Sequence, residues 1–561
     1  MELALTIAGG LALFLYGMKV MSEALQNAAD DKLEKILWRF TNNRIKGVFT
    51  GIAITTMIQS SSATSVMTVS FVTAGLITLT QSIGVIMGAN IGTTVTGWIV
   101  AVIGFRVNIA AVSLPIIAIG FFVRFLNKQK IRQWGDVLLG FGILFLGFSI
   151  MGDAVSGLRD SPQVMDMMSQ FRADGIISTL AVIAVGSLVT IMVQSSSATI
   201  AMTMALAFSG VIDFNTACAL VLGENIGTTI TANIASIGAS IDAKRAARVH
   251  LLFNTLGVFW VLLVLHSFFL PLVDALVPGN PYSTDSAVRA AAIPDHLAAF
   301  HTIFNITNAL IFLPLVNFLA FIATKFVPDK GDPEESTFHL KYISTSLLST
   351  PSMNINQAKL ETKRMLNLAE EMYNMVLEVH KNPSAKLGST VDKIFTLEHH
   401  IDLLEKEISI FLVRISQENT SQEQSREVSI LLQRVNEIEK IGDQCENLLK
   451  ILRRKYDNKI EFSDLATKQI DEISGIVKDF LDLISNNITE YNKNIIDDAD
   501  KIETQINELR KELRKNHVQR LNQGTCDVNS GLLYIDMLTA FEKIGDHSFN
   551  IAEGISGLRI F

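Results

Sequence analysis

Gln59–Thr64 reads QSSSAT, and this stretch decides the fold because Gln194–Thr199 repeats it without a change. The same shift of 135 residues superposes Asn90–Thr94, which reads NIGTT, on Asn225–Thr229. Over residues 51–96 and 186–231, about 20 of the 46 aligned positions are identical, which indicates an internal duplication. Each copy is a cluster of amide and hydroxyl groups inside strongly apolar sequence. Such a cluster usually lines a cavity, because polar groups need partners in hydrocarbon.

The composition changes along the chain and indicates two parts. The 561 residues are 49% hydrophobic, with a mean hydropathy of +0.35, which is too apolar for a wholly soluble protein. Residues 1 to about 325 hold nearly all the long apolar runs, whereas residues 335–561 are rich in Glu, Lys, Asp and Asn. We therefore predict an all-α chain with a polytopic membrane domain at 1–330, a linker at 331–349 and a soluble domain at 350–561.

The sequence also argues against several functional classes. The formal net charge is −8 and no Lys/Arg-rich block is present, so no nucleic acid is expected as a partner. Cys218, Cys445 and Cys526 lack metal-ligand spacing and indicate no disulfide framework. The sequence contains no P-loop, no Gly-x-Ser-x-Gly elbow and no zinc-protease helix, so neither an ATP motor nor an enzyme is predicted.

Flanking charges indicate that the two copies lie upside down relative to each other. Gly17–Ala24 resembles Gly147–Ala154, so the duplication includes the opening helix. The sequence after the first segment is basic and that after the second is acidic, while the bias reverses after the polar cores. Since Lys and Arg favour the cytoplasmic side, this pattern predicts an inverted-topology repeat. Repeat 1 covers about 4–127 and repeat 2 about 134–270, with an extra span at about 299–323.

The two polar cores are the candidate binding site. Serine and threonine in a row, flanked by glycine, make a poor continuous membrane helix, so we expect broken or re-entrant helices. Free N–H groups and hydroxyls at helix starts bind oxyanions, while freed carbonyls and the Gln oxygen suit a small hard cation such as Na⁺. The alternative is that small residues only allow close helix packing. The candidate residues are Gln59, Ser60, Ser61, Ser62, Thr64, Asn90, Thr93 and Thr94, with Gln194, Ser195, Ser196, Ser197, Thr199, Asn225, Thr228 and Thr229 in the second copy.

Glu224 breaks the symmetry of the two cores, because Ala89 stands opposite it. A carboxylate at membrane depth suggests a function. It could coordinate Na⁺, accept the proton of hydrogen phosphate, or have only a local role. Two polar lines follow on later helices, one with His250, Asn254 and Thr255 and the other with His301, Asn305 and Asn308. Each lies on one helix face, and helix-to-helix hydrogen bonding explains these lines better than ligand contact.

The soluble half is duplicated separately, at a shift near 105 residues. Ile401–Glu407 resembles Ile506–Glu512, and Glu439–Asp443 resembles Glu542–Asp546. The segments are amphipathic and helical, and three helices per copy predict a pair of three-helix bundles.

The membrane half resembles the sodium-dependent phosphate cotransporters with paired Gln-Ser-Ser-Ser motifs. The resemblance implies a secondary transporter that carries inorganic phosphate across the plasma membrane with Na⁺ as coupling ion, with both bound at the two motifs and their Asn/Thr segments. Glu224 departs from the pattern and leaves the ion stoichiometry open. A phosphate sensor and a phosphate channel or exporter are the alternatives.

The soluble half resembles PhoU, a regulator of phosphate uptake, which implies a cytoplasmic regulatory domain. PhoU-like proteins can hold a divalent or iron cluster, and the matching carboxylates here are Glu439, Asp443, Glu542 and Asp546. A solvated charged face is the alternative for these four. The expected partners are inorganic phosphate, Na⁺ and the lipid bilayer. The sequence leaves open whether the chain forms a homo-oligomer, and whether it imports or exports.

Overall fold

The described chain is helical and divides into two compact units in the computed structural model, one formed by the helices up to Phe326 and one by those from Pro351 onward. The expected linker lies outside the described residues except at 340, 342 and 343. The structure describes the chain apart from residues 1, 42, 74, 108, 127, 160, 238, 329–339, 341, 344–350, 382–387, 418–419, 421, 490, 525 and 558–561.

The first unit consists of fifteen α-helices in its described part, with π-helical turns at Val100–Gly104 and Leu265–Phe269. In chain order they are α1 (Glu2–Phe40), α2 (Arg44–Ile58), α3 (Ser61–Thr73), α4 (Leu79–Ile99), α5 (Ile109–Val123), α6 (Gln129–Leu158), α7 (Pro162–Gln170), α8 (Ile176–Val193), α9 (Ser196–Phe208), α10 (Phe214–Gly227), α11 (Thr229–Ala235), α12 (Ile241–Val264), α13 (Leu270–Leu276), α14 (Ser286–Phe312) and α15 (Val316–Phe326).

Several of these helices are long and apolar enough to cross a bilayer. Among the described residues, five qualify by length and composition: Glu2–Gln26, Leu79–Gly104, Ile131–Leu158, Ile176–Val193 and Ile241–Leu276. The extra span expected near 299–323 is a bent pair, because α14 starts at Ser286 and α15 leaves its end at 84°. Pro314 stands in the break, where its ring cannot continue the hydrogen bonding of a helix.

Close packing of α1 on α6 shows how the repeats are related. Gly10 lies against Gly147, and Gly17 lies against Gly140, so the two helices run antiparallel with their backbones in contact. Gly17 and Gly147 are counterparts in the duplication, and so are Gly10 and Gly140. Gly10 therefore contacts the counterpart of Gly17, and Gly17 contacts the counterpart of Gly10. A two-fold axis perpendicular to the two helices requires this exchange. The predicted inverted-topology repeat is confirmed.

Both Gln-Ser-Ser-Ser segments interrupt a helical hairpin. The chain breaks between α2 and α3 in the first repeat and between α8 and α9 in the second. α2 has 15 residues and α3 has 13, so each is roughly 20 Å long, shorter than the ~30 Å of a bilayer core. The predicted broken helices are therefore confirmed.

The second unit contains α16 (Pro351–Lys381), α17 (Gly388–Ser416), α18 (Gln422–Asp457), α19 (Asp464–Asn487), α20 (Ile495–Asn522) and α21 (Val528–Ser556). The first three and the last three form the predicted pair of three-helix bundles, which pack through α18 and α21 over one shared hydrophobic core. The buried Arg434 joins the bundles, donating to the carbonyls of Ile488 at 3.0 Å and Gly554 at 2.9 Å.

Candidate functional site

The two glutamines at the helix breaks share one unusual backbone conformation. Gln59 and Gln194 both have φ of 55°, in the left-handed region that residues other than glycine rarely adopt. Each donates its backbone N–H at 2.7 Å to the carbonyl four residues earlier, Thr55 or Thr190, which ends the preceding helix. The same strained geometry in both copies indicates that the site requires it.

The serines that follow start the second helix of each hairpin in the same way. Ser60 Oγ accepts the N–H of Ala63 at 3.2 Å, and Ser195 Oγ accepts the N–H of Ala198 at 3.2 Å. Ser61 and Ser196 are the first residues of α3 and α9, and Ser61 and Ser197 are buried. Each break thus places hydroxyls beside the N-terminus of a helix, where N–H groups and a partial positive charge are available to an anion.

The first break lies against the second repeat. Ser62 Oγ of the first repeat lies 3.4 Å from Thr231 Oγ1 of the second, within hydrogen-bonding distance. The counterpart of Thr231 is Thr96, which donates its hydroxyl to Gln59 Oε1 at 2.9 Å. The opening helix contacts both breaks, because Ser22 donates to the carbonyl of Ile58 at 2.8 Å and Ser195 lies 3.8 Å from Met18 Sδ. The first break therefore lies against the second repeat, and α1 contacts both breaks.

The threonine hydroxyls at the site are mostly used inside their own helices. Thr64 and Thr199 donate to the carbonyls of Ser60 and Ser195 at 3.0 Å. The remaining donations are from Thr93 to Ala89 at 3.1 Å, from Thr94 to Ile91 at 2.8 Å and from Thr229 to Ile226 at 2.8 Å. Thr64 also accepts the hydroxyl of Thr55 at 2.9 Å, and the other hydroxyls keep only their acceptor capacity for a ligand. Thr228 is buried at the junction of α10 and α11, and its carbonyl accepts the hydroxyl of Thr231 at 3.3 Å.

The two asparagines have different partners. Asn90 donates its side-chain amide to Asn254 Oδ1 on α12 at 2.7 Å, and its Oδ1 lies 3.3 Å from His250 Nε2. Asn225 instead donates to the carbonyl of Val221 on its own helix at 2.8 Å. For His250 and Asn254, the helix-to-helix bonding expected from the sequence is confirmed.

Glu224 is buried between α9 and α10. Its Oε1 accepts the hydroxyl of Thr203 at 2.9 Å, and the counterpart threonine, Thr68, donates to the carbonyl of Thr64 instead. In the second repeat the threonine hydroxyl therefore bonds the carboxylate of Glu224, whereas in the first repeat the counterpart hydroxyl bonds a backbone carbonyl. Sequence reasoning did not assign Thr203, Thr96 or Thr231 to the site. The identity of Thr96 and Thr231 in the duplication was the available signal for that pair.

Both halves of the chain match known protein families. The Na+/Pi-cotransporter model matches residues 13–153 and 164–270, and the PhoU domain model matches residues 362–452 and 470–555. The YqeW protein of Bacillus subtilis (strain 168), which is uncharacterised, is 32% identical over 320 residues, covering 56% of this chain and 96% of its own length. The chain belongs to the Na+/Pi-cotransporter family.

Other relatives of this cotransporter-family chain carry functional names. The YjbB proteins of Salmonella typhimurium and Escherichia coli K12, whose name proposes inorganic phosphate export, are 22% and 23% identical over 98% of this chain and 97% of their own. The sodium-dependent phosphate transport protein 2A of Rattus norvegicus is 38% identical over 96 residues, 17% of this chain and 15% of its own. No solved structure matches the chain.

The carboxylates expected to hold a metal in the PhoU part do not form such a site. Among the residues that the structure describes, no group of three His, Cys, Asp or Glu side chains is arranged around a common point. Burial and the neighbouring Asp443 raise the pKa of Glu439, and burial and Asp402 raise that of Asp443. In the other bundle Glu542 pairs with Arg510 at 3.1 Å, and burial and Glu542 raise the pKa of Asp546. The four residues do not fit a metal cluster as they stand.

Proposed function

We propose that the membrane unit of this Na+/Pi-cotransporter family member is a secondary transporter that couples inorganic phosphate to Na⁺ across the plasma membrane. One observation carries this proposal: the chain breaks at both Gln-Ser-Ser-Ser segments in the same strained geometry, and Ser62 of the first break lies within hydrogen-bonding distance of Thr231 in the second repeat. A site made of two inverted halves suits alternating access, because each half can take the conformation of the other.

The two ligands would use opposite ends of the broken helices. The N–H groups and hydroxyls at the starts of α3 and α9, with Ser60, Ser61 and Ser62 and their counterparts, would bind phosphate without Lys or Arg. The carbonyl ends of α2 and α8 and the oxygens of Gln59 and Gln194 would bind Na⁺. Small hard cations prefer such oxygen ligands.

Glu224 would act with the cation. It is a buried carboxylate whose only described hydrogen bond comes from Thr203. A carboxylate buried at membrane depth needs a counter-charge, and Na⁺ supplies one during transport. The same group could instead accept the proton of hydrogen phosphate, and the Na⁺ and pH dependence of transport separates the two roles.

The PhoU unit would regulate transport from the cytoplasm. Its helices form two packed bundles with a core of their own, and none of them is among the candidate membrane spans. A chain cut after Lys330 should therefore still insert and transport. We expect its rate to stop responding to internal phosphate, whereas the full-length chain responds. Complete loss of uptake in the cut chain would refute the domain boundary.

Flux of labelled phosphate in proteoliposomes tests the proposal. Purified full-length protein should accumulate phosphate when an inward Na⁺ gradient is imposed, and a K⁺ gradient of equal size should not drive it. Phosphate movement that does not depend on the Na⁺ gradient would refute the coupling of phosphate to Na⁺ and favour a channel. Specific binding without any flux would favour a sensor.

Phosphate export is the second candidate, and the YjbB relatives favour it because their similarity covers nearly the whole chain. Right-side-out and inside-out vesicles decide the direction. An importer moves phosphate into right-side-out vesicles down the physiological Na⁺ gradient, whereas an exporter moves it into inside-out vesicles.

A further inference from the structure

His250–Asn254 and His301–Asn305 are two copies of one short pattern, His-x-x-Phe-Asn, on α12 and α14. α12 packs against α3, α4, α10, α11 and α15, whereas α14 packs against α4, α9 and α10. Since α9 is the second-repeat counterpart of α3, each pattern lies on a helix that packs against one of these two counterparts. The same side chains can therefore be compared in two settings within one molecule.

The copy on α12 is engaged with a neighbouring helix. Asn254 Oδ1 accepts from Asn90 at 2.7 Å, and His250 Nε2 lies 3.3 Å from Asn90 Oδ1. Asn254 also donates to the carbonyl of His250 at 3.0 Å, one turn back on its own helix. This copy positions Asn90, and only the second ring nitrogen of His250 lacks a partner in the described part of the chain.

The copy on α14 has the same hydrogen bond within its own helix, but among the described residues it has no hydrogen bonds like those that join the α12 copy to Asn90. Asn305 donates to the carbonyl of His301 at 2.9 Å. Asn305 Oδ1 and His301 Nδ1 are buried, and neither has a hydrogen-bond partner among the described residues. Asn225, the counterpart of Asn90, donates to Val221 instead. One face of α14 thus carries two uncommitted polar atoms, and leaving such atoms unpaired costs free energy.

One of these two atoms, His301 Nδ1, lies close to the residue that follows Thr96, the partner of Gln59. His301 Nδ1 is 3.9 Å from the position that a Cβ would take on Gly97. The residue before Gly97 is Thr96, which donates to Gln59, and the residue after it is Trp98, whose Nε1 donates to Thr302 at 3.0 Å. Thr96 and Trp98 of α4 therefore form hydrogen bonds with Gln59 and Thr302, and Gly97 between them faces His301.

We propose that His301 and Asn305 bind the protonated edge of the transported oxyanion. The inference rests on the proposed function. In its Nδ1–H tautomer the imidazole donates to an unprotonated phosphate oxygen, while Asn305 Oδ1 accepts from the P–OH group. A donor beside an acceptor matches hydrogen phosphate, which carries both kinds of oxygen. It selects against sulfate, which has no proton at neutral pH and would leave Asn305 Oδ1 unpaired.

Phosphate binding by three variants tests this assignment. Asn305→Leu and His301→Phe remove the two atoms at little change in volume. Asn308→Leu is the matched control, because Asn308 is buried on the same helix but is bonded to Trp260 at 3.2 Å and to the Phe253 carbonyl at 3.3 Å. Calorimetry on purified full-length protein at saturating Na⁺, with inorganic phosphate as ligand and sulfate as competitor, gives the affinities.

Asn305→Leu and His301→Phe should each weaken phosphate binding about tenfold or more, and each should reduce the preference for phosphate over sulfate. The control Asn308→Leu should lower the Tm and leave the Kd for phosphate unchanged. A Kd within about twofold of wild type in Asn305→Leu would overturn the proposal and leave a buried water as the partner. A changed Na⁺ dependence with unchanged phosphate affinity would also overturn it, because the pair would then serve the cation. If Asn305→Leu does not fold, His301→Phe and Asn305→Ser decide. Absence of phosphate binding in wild type would refute the proposed function itself.

Discussion

The two copies of the broken hairpin have the same backbone but different surroundings. Gln59 is buried, accepts the hydroxyl of Thr96 at 2.9 Å and donates its amide to the carbonyl of Thr56 at 2.6 Å. Gln194 is exposed, and its side chain makes no hydrogen bond to the described residues. One half of the site is thus closed by its own repeat while the other is open. In an inverted repeat the two halves can exchange these conformations, so that the closed half opens while the open half closes. Alternating access requires such an exchange.

Removing either glutamine gives the largest expected effect. Gln59→Ala and Gln194→Ala should each abolish Na⁺-driven phosphate uptake, because each break contributes half of the site. Their stabilities should differ. Gln59→Ala leaves the buried Thr96 hydroxyl without its acceptor, at about 1–3 kcal/mol, whereas Gln194→Ala removes no described hydrogen bond.

Uptake in proteoliposomes and thermal unfolding of the same preparations measure both effects. Thr302→Val serves as a control, because it removes one hydroxyl from α14 and leaves both glutamines intact. Wild-type uptake in either correctly inserted glutamine variant would contradict the site. Equal loss of stability in both would contradict the difference between the copies.

Glu224→Gln should have an intermediate effect, on the cation rather than on the anion. The first repeat has Ala89 at this position, so the carboxylate exists in one copy only. The substitution removes the charge and keeps the shape and the acceptor for Thr203. We expect the Na⁺ or pH dependence of uptake to change several-fold while phosphate affinity changes less. Superimposable Na⁺ and pH profiles for variant and wild type would show that Glu224 has no such role.

The smallest expected effect concerns a second unequal duplication, in the PhoU unit. Burial and Asp402 raise the pKa of Glu398 from 4.5 to about 7. In the other bundle the counterpart of Asp402 is Asn507, which donates to Glu503 instead of repelling it. A raised pKa means that the folded state holds the proton more tightly. The stability from Glu398 is therefore fully present below about 4.5 and is lost as the pH rises through about 7.

Asp402→Asn gives the first bundle the residue that the second bundle has at the counterpart position, Asn507. We expect it to slow hydrogen exchange in α17 and α18 at pH 8, where Asp402 repels the ionised Glu398. The effect should be smaller at pH 5, because Glu398 of the wild-type chain is protonated there and is not repelled. Hydrogen-exchange mass spectrometry of the full-length chain measures this. An equal effect at both pH values would show that Glu398 is not the titrating group.

The sequence predicted more of the fold than of the site. Identity between Gln59–Thr64 and Gln194–Thr199 is enough to predict two broken hairpins, because a duplicated polar segment in apolar sequence has few stable arrangements. The sequence could not distinguish Gln59 from Gln194, since burial depends on which helices lie over each break. It also could not show that Asn90 is held by α12 whereas Asn225 bonds its own helix, because the partners of Asn90 lie far along the chain and only the fold brings them together.

If the two breaks form one site, each chain binds a single phosphate, and the stoichiometry of phosphate binding measures this. Calorimetric titration of the purified full-length chain with inorganic phosphate, at saturating Na⁺, gives the number bound per chain. We expect one phosphate per wild-type chain and none for either Gln59→Ala or Gln194→Ala. Two phosphates per wild-type chain, with one remaining in each variant, would show that the breaks are separate sites and would contradict this expectation.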